Sequence, residues 1–273
     1  MERQRTLELS PADFQLPQHL RAILVGASAS GKSSLILDWI RHKERIFPSP
    51  FYAHVIFCSP NFEPTLIGSK DQRYMKDLQE AVQPATLSCY DHLITPEELM
   101  SELAAHKPAF NEEDDSRTEA PPSILLCLDD FSLSVYQDPI VASLFTRLSS
   151  HANIGTIICV HQGLNCSGKN FAMVWQSANY LVLFRNNSDK LAMTYLSRKI
   201  FPYSGNYLVR CLDTATDLLG PYEPLCIDTS MANRLSHQFP VVINMLERQG
   251  LPCLHFKSPY NHERSSGKLN GFP

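Results

Sequence analysis

Residues 21–34 read Arg-Ala-Ile-Leu-Val-Gly-Ala-Ser-Ala-Ser-Gly-Lys-Ser-Ser, an apolar run that ends in Gly26-x-x-x-x-Gly31-Lys32-Ser33. Glycines at both ends of such a loop let the backbone fold into a nest of inward-pointing N–H groups. The lysine then reaches phosphate oxygens, and the serine hydroxyl supplies one oxygen to Mg2+. Both flanks fit this reading. An aliphatic strand enters the loop, and Leu35, Ile36, Trp39 and Ile40 recur behind it as one apolar helical stripe. The stretch predicts a strand–loop–helix unit that holds ATP and Mg2+, with Gly26, Ala27, Ser28, Ala29, Ser30, Gly31, Lys32, Ser33 and Ser34 around the phosphates.

Working outward, His54–Cys58 reads as a second strand halted by Ser59-Pro60, and residues 71–82 and 96–106 read as helices. Residues 109–122 hold a polar, acidic run closed by two prolines, which predicts a surface loop. Ser123–Leu128 is a continuous apolar strand that delivers Asp129-Asp130. A helix near 138–149 precedes the strand Gly155–Val160, which ends at His161-Gln162. Asn179–Phe184 is another strand, and residues 189–199 are helical. Tyr207–Leu212 and Pro224–Asp228 read as a hairpin, and Pro240–Gln249 as a short helix. Apolar strands alternating with helices indicate an α/β fold, a mostly parallel sheet covered on both faces. Ligands of such sheets sit at the carboxyl ends of the strands, where the phosphate loop, Asp129-Asp130 and Gln162 all fall. The expected layout is an N-terminal extension over 1–20, a P-loop NTPase domain over 21–230 and a helix with a flexible tail over 231–273.

An acid at the end of a buried strand beside a phosphate loop has a defined task, to hold Mg2+ together with Ser33; Asp129 takes it. Asp130 can orient and deprotonate the attacking water, and Gln162 can hydrogen-bond water and the γ-phosphate.

The bulk numbers narrow the remaining classes. With 273 residues and 44% hydrophobic content, the chain can bury one large α/β core. Residues 1–150 carry 13 Lys/Arg against 21 Asp/Glu, leaving 11 against 7 for the rest, so any polyanion track belongs to the second half. The 8 cysteines show no C-x-x-C pair and no matching histidine spacing, so apart from the nucleotide's Mg2+ no metal site is expected, and a reducing, intracellular setting is. No stretch approaches 18 uninterrupted apolar residues, so no membrane span is expected.

Four segments together carry a resemblance: GASASGKSS (26–34), LLCLDDF (125–131), LFTRLSSHANIGTIICVHQGL (144–164) and YLVLFRNNSDKLAMTYLSRKIFP (180–202). Over roughly residues 20–230 the chain resembles the FtsK/HerA-type genome-packaging ATPases. Within them it is most similar to the poxvirus-like enzymes of large DNA viruses, virophages and Polinton (Maverick) transposons. The placement of His54–Cys58 between the phosphate-loop strand and the Asp129 strand also resembles the additional-strand catalytic division of P-loop enzymes. The resemblance implies Lys32, Ser33, Asp129, Asp130 and Gln162 in the roles given above. It adds Arg147 as an arginine finger offered to a neighbouring subunit, with Arg185 as the second candidate. It further implies a homo-oligomeric ring, expected as a hexamer, that threads double-stranded DNA into a capsid inside the host nucleus or a cytoplasmic viral factory. The chain departs from the wider group at two places: Asp130 stands where many relatives carry Glu, and His161-Gln162 where Thr-Gln is common.

DNA contacts are expected from the polar loop Gln162–Asn170 and from Arg185, Lys190, Arg198 and Lys199, residues that serve equally well as ordinary solvated charges. No sequence-reading motif is evident, so DNA would be bound through its backbone. Two other classes stay open on the residues: a nucleoside or small-molecule kinase, which would want an arginine-rich lid, and a non-catalytic nucleotide-binding scaffold.

Overall fold

The computed structural model describes residues 16, 17, 19–61, 70–106, 124–161, 168–184, 190–200, 206–219, 224–229, 241–243 and 255–256. The strand Arg21–Val25 (β1) runs through the loop into the helix Lys32–Arg41 (α1) and a short helix Lys43–Ile46 (α2). Next come His54–Cys58 (β2), Lys70–Val82 (α3), Thr86–Tyr90 (β3), Pro96–Ala105 (α4) and Ile124–Leu128 (β4). A tight 3-10 turn at Val135–Gln137 leads to Pro139–Ser143 (α5), a π-turn at Leu144–Leu148 and Ser149–His151 (α6). Then follow Ile154–Val160 (β5), Lys169–Ser177 (α7), Tyr180–Leu183 (β6), Lys190–Ile200 (α8), Tyr207–Leu219 (α9), Leu225–Asp228 (β7), Val241–Ile243 (β8) and His255–Phe256 (β9). No described helix is long and apolar enough to cross a membrane.

The strands form one sheet in the order β3-β2-β4-β5-β1-β6-β7-β8-β9. From β3 to β6 every pairing is parallel, and β7, β8 and β9 add an antiparallel edge. The fold is therefore the α/β arrangement of a P-loop NTPase. Because each central strand is covered on both faces, alternate residues feed two cores. Ile23, Ile56, Leu126 and Ile158 pack on one side with α5, α7, α8 and α9, and Leu24, Val55, Leu125 and Ile157 on the other with α1 and α3. All four of Ile23, Ile56, Leu126 and Ile158 are fully buried, each worth about 1.5–3 kcal/mol. Leu16 and Leu20, at the end of the expected N-terminal extension, are buried in the second core.

Several expectations are corrected. The strand that separates β1 from β4 in space is β5; β2 lies on the far side of β4, so its place between them holds only along the chain. Tyr207–Leu212 is not half of a hairpin. It opens α9, because Tyr207, Leu208, Cys211 and Leu212 are buried at i, i+1, i+4 and i+5, a helical stripe. Its intended partner β7 pairs antiparallel with β6 instead. Val241–Ile243, expected at the start of a helix, is a strand; residues 244–249 lie outside the described residues. The helix expected near 138–149 is real but interrupted by the π-turn. The strand β3 was not anticipated, since Thr-Leu-Ser-Cys-Tyr is half-buried at most positions and carries little apolar signal. The acidic loop 109–122 lies outside the described residues.

Candidate active site

The loop between β1 and α1 closes on left-handed backbone at Ala29 (φ 59°) and Gly31 (φ 102°). Gly31 is the N-cap of α1 and makes no side-chain cap, so the first N–H groups of the helix are left to an anion. At Gly26 a side chain is excluded by close approach: a Cβ would stand 2.5 Å from Oγ of Ser30 and 2.7 Å from Cβ of Phe184. The glycine spacing is thus a requirement of the nest and of its backing by the residue after β6.

Lys32 is 4% exposed, and its ammonium donates to the carbonyls of Gly26 and Ala27, each at 2.8 Å. Burial pushes its pKa below the ordinary value, with the charges of Asp129 and Asp130 pulling the other way. Ser33 donates to Oδ2 of Asp129 at 2.5 Å, and the Tyr74 hydroxyl on α3 donates to the Ser33 carbonyl at 3.0 Å. Asp129, first after β4, is buried. Asp130 sits in the left-handed region at φ 61°, uncommon for a residue with a side chain, which turns its carboxylate to the pocket rather than along the strand.

Two residues not expected in the site hold that carboxylate. Nε2 of His161 meets one oxygen of Asp130, and Nδ2 of Asn61, just beyond β2, donates to the other. His161 also brings Nδ1 to 3.4 Å from the Lys32 ammonium. A third unforeseen residue, Tyr136, braces the strands beneath them: its hydroxyl donates to the Cys159 carbonyl at 2.6 Å, with the Leu128 carbonyl 3.4 Å away. For Asn61 the available signal was position, three residues past a strand end; His161, one past a strand end, also stood out as a departure from the Thr-Gln of the resembling enzymes.

These groups surround a cavity of about 420 Å³, with Ser28 to Ser34 on one wall and Asn61, Tyr74, Asp129, Asp130 and His161 on the others. Among the expected residues, Lys32, Ser33, Asp129 and Asp130 converge there. Gly26 and Ala27 stand behind the wall and contribute their carbonyls to Lys32. Gln162 and Arg185 lie outside the described residues. Arg147 does not join this pocket. It is exposed on the π-turn, near the start of the strands, where Arg21 donates to the Phe145 carbonyl at 3.4 Å.

The donor set suits Mg2+. The Ser33 hydroxyl and the Asp129 carboxylate are hard oxygens facing a phosphate nest, and octahedral neighbours at about 2.1 Å lie about 3.0 Å apart. The pair, now 2.5 Å apart and sharing the hydroxyl proton, would need to part by only about half an ångström.

No protein-family model and no curated protein matches the sequence. Among solved structures, the chain is similar to the genome packaging NTPase B204 of Sulfolobus turreted icosahedral virus 2 in complex with ATP-gammaS, at 15% identity and a TM-score of 0.49, over 83% of this chain and 98% of that one. The same protein in complex with AMPPCP is similar at 14% identity and a TM-score of 0.46. The cytoplasmic domain of the type VII secretion ATPase EccC of Thermomonospora curvata is similar at 15% identity and a TM-score of 0.42, over 88% of this chain and 25% of that one.

Proposed function

We propose that this chain is an Mg2+-dependent ATPase that translocates double-stranded DNA without reading its sequence, as one subunit of a homo-oligomeric ring that fills a viral or virus-like transposon capsid. The observation that carries the reading is the convergence of Lys32, Ser33, Asp129 and Asp130 on one cavity, with β5 set between the strand of the phosphate loop and the strand of the acids. That gap leaves room for a water between Asp130 and the nest, which an in-line attack on the γ-phosphate needs.

Bound ATP would draw the Lys32 ammonium off the Gly26 and Ala27 carbonyls and onto β- and γ-phosphate oxygens, leaving less charge to neutralise as the bond breaks. Ser33 and Asp129 would hold Mg2+, which screens the same oxygens. Asp130 accepts a proton from water as the water oxygen bonds to phosphorus and the bridging oxygen departs with ADP. In the resting geometry Asp130 is engaged by His161 and Asn61, so the carboxylate must loosen from one of them to reach a water. Gln162 is proposed to assist at the γ-phosphate. Arg147, exposed and away from its own pocket, is proposed to complete the site of the next subunit. Arg198 on α8 and Lys169 at the start of α7, both exposed, are proposed as phosphate-backbone contacts.

The test is ATP turnover by the purified chain with and without long duplex DNA, together with its assembly state. Stimulation by duplex of any sequence, lost in Arg147→Ala at unchanged ATP affinity, supports the ring motor. Turnover indifferent to DNA, or phosphoryl transfer to a nucleoside in place of water, favours the kinase.

A further inference from the structure

Another cluster of titratable side chains in the described residues lies at the other end of β2. His54 is the first residue of that strand and stands in register with Thr86 of the edge strand β3. Glu102 and His106 are four residues apart at the end of α4, hence on one helical face. We infer that His54, Glu102 and His106 form a binding site for one divalent transition-metal ion of the zinc class, separate from the nucleotide pocket.

Three observations support it. The candidate ligand atoms of the three residues all lie within 4.8 Å of one another, with Nε2 of His54 3.1 Å and Nδ1 of His106 3.9 Å from Oε2 of Glu102. Two imidazoles and one carboxylate are a donor set that zinc takes, with the fourth tetrahedral position left to water. The outer groups are also in place. The Thr86 hydroxyl oxygen lies 2.6 Å from Nδ1 of His54 and 3.0 Å from Nε2 of His106, so its two lone pairs can accept an N–H from each ring. The opposite nitrogens then present lone pairs to the ion, while Tyr90 donates to the other oxygen of Glu102 at 2.8 Å.

The third observation is an electrostatic deficit. His54 is 1% exposed, and its Nε2 makes no well-aligned hydrogen bond although the carboxylate lies beside it. In the tautomer with both ring N–H groups on Thr86, the two ring lone pairs and the Glu102 carboxylate face one another, an arrangement that a bound cation relieves. The rings now stack, 3.9 Å apart at 13°, and both cannot hold one ion in their planes in that pose. His106, partly exposed as the C-cap of α4, turns on binding and gives up the contact of Nδ1 with the Glu102 carbonyl, which already accepts from the His106 backbone N–H. The ion would tie α4 and the edge strand to β2.

The test uses the full chain, freed of metal with a chelator and titrated with Co2+. The expected result is the intense visible absorption of four-coordinate Co2+ at one equivalent, displaced by Zn2+ and not by Mg2+. It persists in Lys32→Ala, which separates this site from the nucleotide pocket. His106→Ala and Glu102→Gln abolish the absorption, and Thr86→Val weakens binding about 10- to 100-fold. Absence of the band in the folded wild-type chain, or its retention in both His106→Ala and Glu102→Gln, overturns the inference.

Discussion

Replacing Tyr136 by Phe removes one oxygen and leaves the ring packing intact, which makes the brace between β4 and β5 measurable. Tyr136 is fully buried, and its hydroxyl donates to the Cys159 carbonyl at 2.6 Å, with the Leu128 carbonyl 3.4 Å away. The variant takes one donor from a buried carbonyl that water cannot reach, a loss of about 1–2 kcal/mol. For a chain of this size that lowers Tm by about 2–4 °C. The tethered strand ends carry Asp129, Asp130 and His161, whereas the phosphate nest is carried by β1. Turnover should therefore fall up to about tenfold, because reacting groups lose alignment, while KM for ATP stays within about twofold. Thermal melting and steady-state ATP hydrolysis on the same preparation read both effects. A Tm within 1 °C of the parent with unchanged kcat would refute the idea that this hydroxyl holds the strand ends together.

Three further outcomes follow from other parts of the molecule. Thr95 caps α4 in a reciprocal box with Glu98, so Thr95→Ala should cost about 1 kcal/mol in urea denaturation and leave ATP turnover unchanged. Gly31→Ala forces a side chain onto left-handed backbone at φ 102°, and should weaken nucleotide binding, read by equilibrium titration, with a stability loss of about 1–2 kcal/mol. Burial pushes the Cys89 thiol up to about 11, so its thiolate fraction at pH 8 is about 200-fold below that of a free cysteine. Its alkylation, resolved by peptide mass spectrometry, should be slow at pH 8 and rise about tenfold per pH unit towards 11. A Cys89 that labels as fast as a free thiol would show that this edge is open.

The contrast between readable and hidden elements has physical causes. Residues 22–25, 124–128 and 154–160 are buried on both faces, so their apolar runs announce strands without any partner in view. The phosphate loop is legible because its chemistry is local: glycines, lysine and serine act within eight consecutive positions. The edge strand β3 mixes polar and apolar residues, and Tyr207–Leu212 is too short a window to separate period 2 from period 3.6. The insertion of β5 between β1 and β4 is a matter of crossover, which chain order does not encode. Long-range partners stayed hidden for the same reason. Asn61 and His161 meet Asp130 across 69 and 31 positions, and His54 meets Glu102 across 48.

The most direct measurement separates ATP binding from hydrolysis in Asp130→Asn, a change that keeps the side chain's shape but removes the proton acceptor and puts a donating amide where one accepting oxygen stood. The account predicts ATP affinity within about threefold of the parent and turnover lower by about 100-fold or more, with duplex DNA present. Turnover of Asp130→Asn within about threefold of the parent would contradict it.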